Sequence, residues 1–142
     1  MAMTMHVDIV SAEESIFSGP ASFLLARSTD GELGVLPRHV PLLAQLQPGE
    51  VMLRDEYNEE QFYYASGGFI EVQPHVVTVL ADTASRARDL DEAAAQEAKR
   101  RAEAAIQDRS GAMDYARAQA ELAEAAAQLR TIQSLRRRQG QR

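Results

Sequence analysis

A chain of 142 residues without a cysteine has no route to disulfides, thiolate metal sites or a cysteine nucleophile, and it is long enough to bury a core without such staples. Its formal net charge of −6 argues against a nucleic-acid partner, and no stretch approaches the ~20 apolar residues of a membrane-spanning helix. The first ten residues carry neither a basic segment nor an apolar one of the kind that signals export, so a soluble protein is expected, associated with a membrane only through a partner.

The charge is unevenly spread. Residues 1–85 hold three arginines, no lysine and twelve acids, net −9, whereas residues 86–142 hold twelve basic and nine acidic residues, net +3. Sixteen alanines also fall in the second part. Two regions of different construction are therefore expected, with a boundary between residues 86 and 87.

In the first region, M-H-V-D-I-V alternates as a half-buried strand does, with Met5, Val7 and Ile9 on one face. A turn is read at Ser18-Gly19-Pro20, followed by the short buried run S-F-L-L-A-R. The stretch D-G-E-L-G-V-L-P-R-H-V-P-L-L-A, residues 30–44, combines two glycines with two prolines and so specifies a stiff backbone path. V-M-L-R-D-E and Q-F-Y-Y-A-S flank Tyr57-Asn58-Glu59-Glu60 as a hairpin, and F-I-E-V-Q and H-V-V-T-V-L-A-D follow Gly67-Gly68 with a turn at Pro74. Seven or eight short strands at this spacing predict an antiparallel β-sandwich or flattened barrel over residues 1–86.

After Ala84 the period becomes helical. The eighteen residues from Leu90 to Gln107 contain no breaker, and Asp89 or Asp91 can cap their start. Asp108-Arg109-Ser110-Gly111 interrupts, and a second helix runs from about Met113 to Arg138, in which Tyr115, Leu122 and Leu129 recur every seven residues while Ala118, Ala125 and Ile132 interleave. Residues 87–142 thus read as a two-helix αα-hairpin. Its large apolar side chains are few: Leu90, Ile106, Met113, Tyr115, Leu122, Leu129, Ile132 and Leu135. Alanine adds helix propensity rather than docking energy, so the hairpin is expected to hold its helices while exchanging partner surfaces.

Motifs of catalysis are sparse. There is no phosphate-binding G-x-x-x-x-G-K-[S/T], no G-x-S-x-G and no H-E-x-x-H, and His6, His39 and His75 are too dispersed to predict a metal site. Glu32 with His39 has the composition of an acid–base pair but no nucleophile or oxyanion donor nearby, and a turn surface accounts for both. The run Arg136, Arg137 and Arg138 sits where a helix C-terminus favours cations, without the aromatic interleaving of a nucleic-acid surface.

Five segments in order carry a resemblance: S-A-E-E-S-I-F-S-G at 11–19, D-G-E-L-G-V-L-P-R-H-V-P-L-L at 30–43, S-G-G-F-I-E-V-Q-P at 66–74, V-T-V-L-A-D-T-A at 77–84, and L-D-E-A-A-A-Q-E-A-K-R-R-A-E at 90–103. Together, over residues 3–138, they resemble the epsilon subunits of bacterial F-type ATP synthases. The resemblance implies a noncatalytic rotor component on the central stalk of the proton-translocating enzyme, without cofactor or metal. Its sandwich would join the membrane c-ring to the gamma subunit, at the cytoplasmic face of the bacterial inner membrane. It implies a ring and stalk contact at Glu32, Gly34, Pro37, Arg38 and His39, with Arg38 standing where glycine is usual. It also implies that the hairpin extends toward the alpha and beta subunits to oppose ATP hydrolysis, with Arg117, Leu122, Leu129, Arg130, Arg136, Arg137 and Arg138 on that arm. An ATP motif of the form [I/L]-D-x-x-R-A is degenerate here: Leu90 and Asp91 match, Ala94 replaces the arginine, and Arg101 lies two turns on, so weak or no ATP binding is expected. The alternative reading is a β-sandwich adapter with a helical docking arm in an unrelated assembly.

Overall fold

The computed structural model describes residues 3–108 and 112–140, the side chains of 108, 112–114 and 140 excepted. The chain divides into two compact units, Met1–Ala87 and Arg88–Arg142. The first contains nine strands: β1 (Met5–Ser11), β2 (Ser15–Ser28), β3 (Gly31–Val35), β4 (Leu42–Leu46), β5 (Gly49–Asp55), β6 (Glu60–Ala65), β7 (Gly68–Val72), β8 (Val76–Ala81) and β9 (Ala84–Arg86). They form the expected sandwich, ordered β1-β8-β7-β4-β2-β5-β6-β9, with β3 on β2 and β1 also paired to β2.

Two features depart from the sequence expectation. No turn occurs at Ser18-Gly19-Pro20: β2 runs through it for 14 residues, with Ser18, Gly19 and Pro20 opposite Asp8, Val7 and His6. The register slips between Ala21 and Phe23, where β2 leaves β1 and takes up β5. A strand that turns the corner between two sheets needs such an irregularity, and proline is tolerated close to one. The second departure is that β1 and β8 pair in parallel, from His6 opposite Val76 to Ser11 opposite Ala81. The other pairings are antiparallel, including the hairpin of β5 and β6.

The core follows from alternation. Met5, Val7 and Ile9 of β1 point inward with Leu24, Val35, Leu53, Tyr63, Ile70, Val72, Val77 and Val79, and all are buried. Phe17 tilts against the Tyr63 ring at 58°, centroids 6.1 Å apart. Gly68 has φ 111°, and a Cβ there would come within 2.0 Å of the Leu80 carbonyl oxygen, so β7 approaches β8 as closely as only glycine allows.

About half of the 30–44 stretch is strand. Ser28 Oγ donates to the Gly31 carbonyl at 2.7 Å and accepts from Asp30 N–H at 3.2 Å, closing a tight connection from β2 to β3. The irregular part is Leu36–Pro41. There, His39 N–H bonds the Leu36 carbonyl at 3.2 Å, with Pro37 and Arg38 between, and Arg38 has φ 67°. Proline at the first central position and positive φ at the second define the turn type that favours glycine second. Arg38 N–H also bonds the Pro74 carbonyl at 2.8 Å, which ties the loop to the β7–β8 turn.

In the second unit, a 3-10 turn (Ala87–Asp89) precedes α1 (Glu92–Asp108) and α2 (Ala112–Gly140), as the hairpin reading requires. The break read at 109–111 and the side chain of Met113 lie outside the described residues. Asp91, rather than Asp89, caps α1: its Oδ1 accepts from Ala94 N–H at 3.1 Å. The buried positions are nearly all small: Ala95 and Ala102 of α1, and Ala118, Ala125, Ala127, Thr131 and Ile132 of α2. The seven-residue stripe of Tyr115, Leu122 and Leu129 is not the buried one. Tyr115 is exposed, its hydroxyl accepting from Gln119 at 3.0 Å, and the two leucines are half-buried. The interleaved stripe Ala118, Ala125 and Ile132 takes that place, because close helix approach requires small side chains.

Left-handed backbone costs a non-glycine residue ~1–2 kcal/mol, against ~0.5–1 kcal/mol of extra unfolded-chain entropy for glycine. Arg38→Gly is therefore expected to stabilise the protein by roughly 0.5–1 kcal/mol. Urea denaturation followed through the tyrosines checks this, and a lower midpoint would contradict it.

Candidate functional site

The outward side of β4, β7, β8 and β1 should be polar if it faces only water, since each of these strands has its other side in the core. Instead the register assembles an apolar strip. Phe69 lies opposite Leu80, and Leu80 opposite Val10. In the next row on this face Leu43 lies opposite Glu71, Glu71 opposite Thr78 and Thr78 opposite Asp8, and in the row beyond it Val76 lies opposite His6. Leu43 is 67% exposed, Phe69 48% and Leu80 47%. Large apolar side chains gathered on one face, rather than scattered, mark a docking surface.

The Leu36–Pro41 loop extends this surface. Leu36 and Val40 are 60% and 72% exposed. His39 Nδ1 lies 2.7 Å from the carbonyl of the next residue, Val40, which orients its ring locally. The sequence-predicted contact residues are thus collected in part. Pro37, Arg38 and His39 share the loop, while Glu32 and Gly34 lie on β3, Glu32 beside Arg27 at 3.7 Å and Gly34 next to the Phe23 ring, which a Cβ there would meet at 3.4 Å. Glu32 and His39 are not hydrogen-bonded to each other and form no acid–base pair.

At the other side of the strip the strands assemble a cluster that sequence reasoning missed. His6 and Asp8 share one side of β1, and the β1–β2 register brings Ser18 opposite Asp8. Ser18 Oγ donates to Asp8 Oδ1 at 2.6 Å, His6 Nε2 is 3.0 Å from the same oxygen, and Ser18 Oγ is 3.2 Å from His6 Nε2. The composition is that of a hydrolase triad, but the wiring is not. There the carboxylate orients one ring nitrogen while the other takes the serine proton. Here carboxylate and hydroxyl share Nε2, and the serine proton is given to the carboxylate. The Ser18 hydrogen bond holds the Asp8 carboxyl below its ordinary 3.8, burial opposes this, and the hydrogen bond and charge of His6 reinforce it. The cluster fixes a charge beside the apolar strip. Among the described residues no group of three or more potential ligands could hold a metal ion.

On the hairpin, Arg117 pairs with Glu121 at 3.2 Å, Arg130 and Arg137 are exposed, and Arg138 is half-buried. Arg136 is engaged by both carboxylate oxygens of Glu92, so the last turns of α2 are clasped to the first turn of α1 across 44 residues of chain. Leu90 is half-buried, Asp91 is occupied as the helix cap, and Ala94 supplies the N–H that it caps. Arg101 lines a cleft of about 310 Å³ with Ala98, Glu121, Glu124, Ala125 and Gln128. One guanidinium against two carboxylates is a poor environment for a polyphosphate.

No described helix is long and apolar enough to cross a membrane. Residues 4–87 match the family described as ATP synthase, Delta/Epsilon chain, beta-sandwich domain, and residues 88–133 match ATP synthase, Delta/Epsilon chain, long alpha-helix domain. An ATP synthase epsilon chain of Nitrosococcus oceani is 64% identical over 99% of this chain and 100% of its own length. That of Alkalilimnicola ehrlichii is 65% identical over 95% of this chain and 96% of its own. Among solved structures, a chain of the Euglena gracilis mitochondrial ATP synthase (OSCP/F1/c-ring, rotational state 1) has the same fold with a TM-score of 0.78 at 24% identity, over 87% of this chain and 78% of that one. A chain from the central stalk and c-ring of the Tetrahymena thermophila mitochondrial ATP synthase aligns at 0.68 and 15% identity, over 92% and 98%.

Two outcomes are expected. Because the folded Asp8 carboxyl titrates below 3.8, its contribution to stability is present above that pH and is lost as pH falls through the lower folded value. Asp8→Asn should therefore be less stable than the parent at neutral pH, and the gap should close on acidification; thermal unfolding across that range measures it, and a gap that widens would contradict it. Calorimetry of the isolated chain with ATP should give no micromolar binding isotherm.

Proposed function

The chain belongs to the ATP synthase delta/epsilon family, and from that premise we propose a division of labour between its two units. It is a noncatalytic subunit of the synthase, part of the rotor. The sandwich is the gripping body. Its outward apolar strip of Leu43, Phe69, Val76 and Leu80 docks on gamma, and the Leu36–Pro41 loop meets the polar loops of the c-ring. In a bacterial cell this puts the chain at the cytoplasmic face of the inner membrane, held there by the complex. Family membership decides against an adapter in an unrelated assembly.

The observation that carries this reading is the continuity of strip and loop. Torque passes between two partners only through a body that does not deform, and here both contact regions are built on one hydrogen-bonded sheet, with the loop stiffened by Pro37 and Pro41 and tied to the Pro74 carbonyl. Burial of the strip at ~25 cal/mol per Å² supplies the affinity that a polar face would lack.

The hairpin is the brake. In this reading it rests closed in one state and extends in the other, placing α2 against the alpha and beta subunits to oppose hydrolysis. Its small-residue seam suits two states of similar free energy, and the exposed Glu92–Arg136 pair, worth ~0–1 kcal/mol, is a clasp weak enough to open. Opening would release Arg136 to join Arg130 and Arg137 as cations for acidic segments of the head, with Arg117, Leu122, Leu129 and Arg138 on the same arm.

Removing residues 88–142 from the assembled enzyme is expected to raise its ATP hydrolysis rate while ATP-driven proton pumping is kept. An unchanged rate would remove the brake. Replacing Phe69 and Leu80 by glutamate together should lower recovery of the chain with gamma at least about tenfold, since buried apolar anchors dominate such contacts. The sandwich should still melt cooperatively, because both side chains lie outside its core.

A further inference from the structure

Three arginines are the only lysine or arginine side chains in residues 1–85, against twelve acids. Two of them are committed internally. Arg27 pairs with Glu32 at 3.7 Å, and Arg54 bonds Glu60 at 3.3 Å with its guanidinium 5.4 Å from the centre of the Phe23 ring. The third, Arg38, is exposed at the turn of the Leu36–Pro41 loop and has no ion pair among the described residues.

Its backbone makes the isolation informative. Arg38 holds φ 67° at the turn position that suits glycine, and among the described residues no ion pair of its side chain offsets that strain. A strained residue with an uncommitted guanidinium, on a loop held at both Leu36 and Pro74, is arranged for something outside the chain.

We infer that Arg38 presents its guanidinium to a carboxylate on the c-ring surface that the loop meets, and that this ion pair sets the register of the contact. The inference rests on the reading of the loop as a ring contact. A planar guanidinium matches a carboxylate with two parallel hydrogen bonds, which specifies orientation as well as charge. Leu36 and Val40, both exposed beside it, form an apolar rim that closes over the pair and strengthens it by excluding water. Because the loop is fixed before binding, little conformational freedom is lost on docking. An anionic lipid headgroup fits less well. A bilayer's surface potential acts on every charge within a Debye length of ~8–10 Å, and it would meet a unit whose residues 1–85 sum to −9. A single carboxylate on a protein loop is felt at contact distance.

The test uses the chain in complex with gamma, with vesicles carrying the organism's own c-ring and with protein-free phosphatidylethanolamine vesicles containing phosphatidylglycerol. Arg38→Gly should weaken binding to the ring-bearing vesicles about tenfold even if it stabilises the free protein, with Arg38→Lys between and Arg38→Glu weaker still. Added salt should weaken the parent more than Arg38→Gly. Binding of Arg38→Gly as tight as the parent's would overturn the ion pair while leaving the ring contact in place. Arg38-dependent binding to the protein-free vesicles would overturn it in favour of lipid phosphate. Failure of the parent complex to bind ring-bearing vesicles would remove the contact reading and this inference with it.

Discussion

The pairing of β1 on both of its edges, parallel to β8 and antiparallel to β2, is the constraint on which the rest of this protein depends. With both edges of β1 hydrogen-bonded, the sandwich closes around its core at the place where the chain begins. The edges left free are those of the short strands β3 and β9, each paired with one strand, and the broad surfaces left for partners are the sheet faces and the loops. That is where the exposed apolar residues are found. The same closure sets the rows across β4, β7, β8 and β1, and the rows turn residues distant in the chain into one surface.

The two units use opposite strategies of packing. The sandwich buries large side chains from every strand pair, with Ile9, Leu24, Leu53, Tyr63 and Ile70 essentially without solvent contact. Changes there create cavities and are costly, so the body behaves as one piece. The hairpin buries mostly alanine. Its helices draw stability from propensity and from local pairs such as Glu97 with Arg100 and Arg117 with Glu121, and the ion pair that joins its two ends, Arg136 with Glu92, is exposed. A stiff body and a hairpin with an alanine-rich seam are thus built by residue choice.

Polar groups at the docking surface follow the same economy. Asp8 is held ionised by Ser18 and His6, His39 is fixed on a neighbouring carbonyl, and Arg27 and Arg54 are paired within the sandwich. Arg38 alone among the cations of residues 1–85 combines an unfavourable backbone with an uncommitted charge. Strain that the fold does not relieve internally is most readily understood as serving a contact.

Short-range chemistry was legible without coordinates. The alternation of Met5, Val7 and Ile9, the hairpin turn over residues 57–60, a cap by Asp89 or Asp91 and the helical period after residue 90 are all statements about neighbours in the chain, which local sterics and hydrogen bonding decide. Tertiary structure alone decided the rest. Ser18-Gly19-Pro20 reads as a turn until a partner strand gives it a register, and of the two interleaved stripes on α2 only close approach selects Ala118, Ala125 and Ile132 as the buried one. The Ser18–Asp8–His6 cluster, the clasp of Arg136 on Glu92 and the apolar strip across four strands join residues that periodicity cannot relate. Their positions depend on pairings whose energies are non-local, and these exist only once the chain has closed on itself.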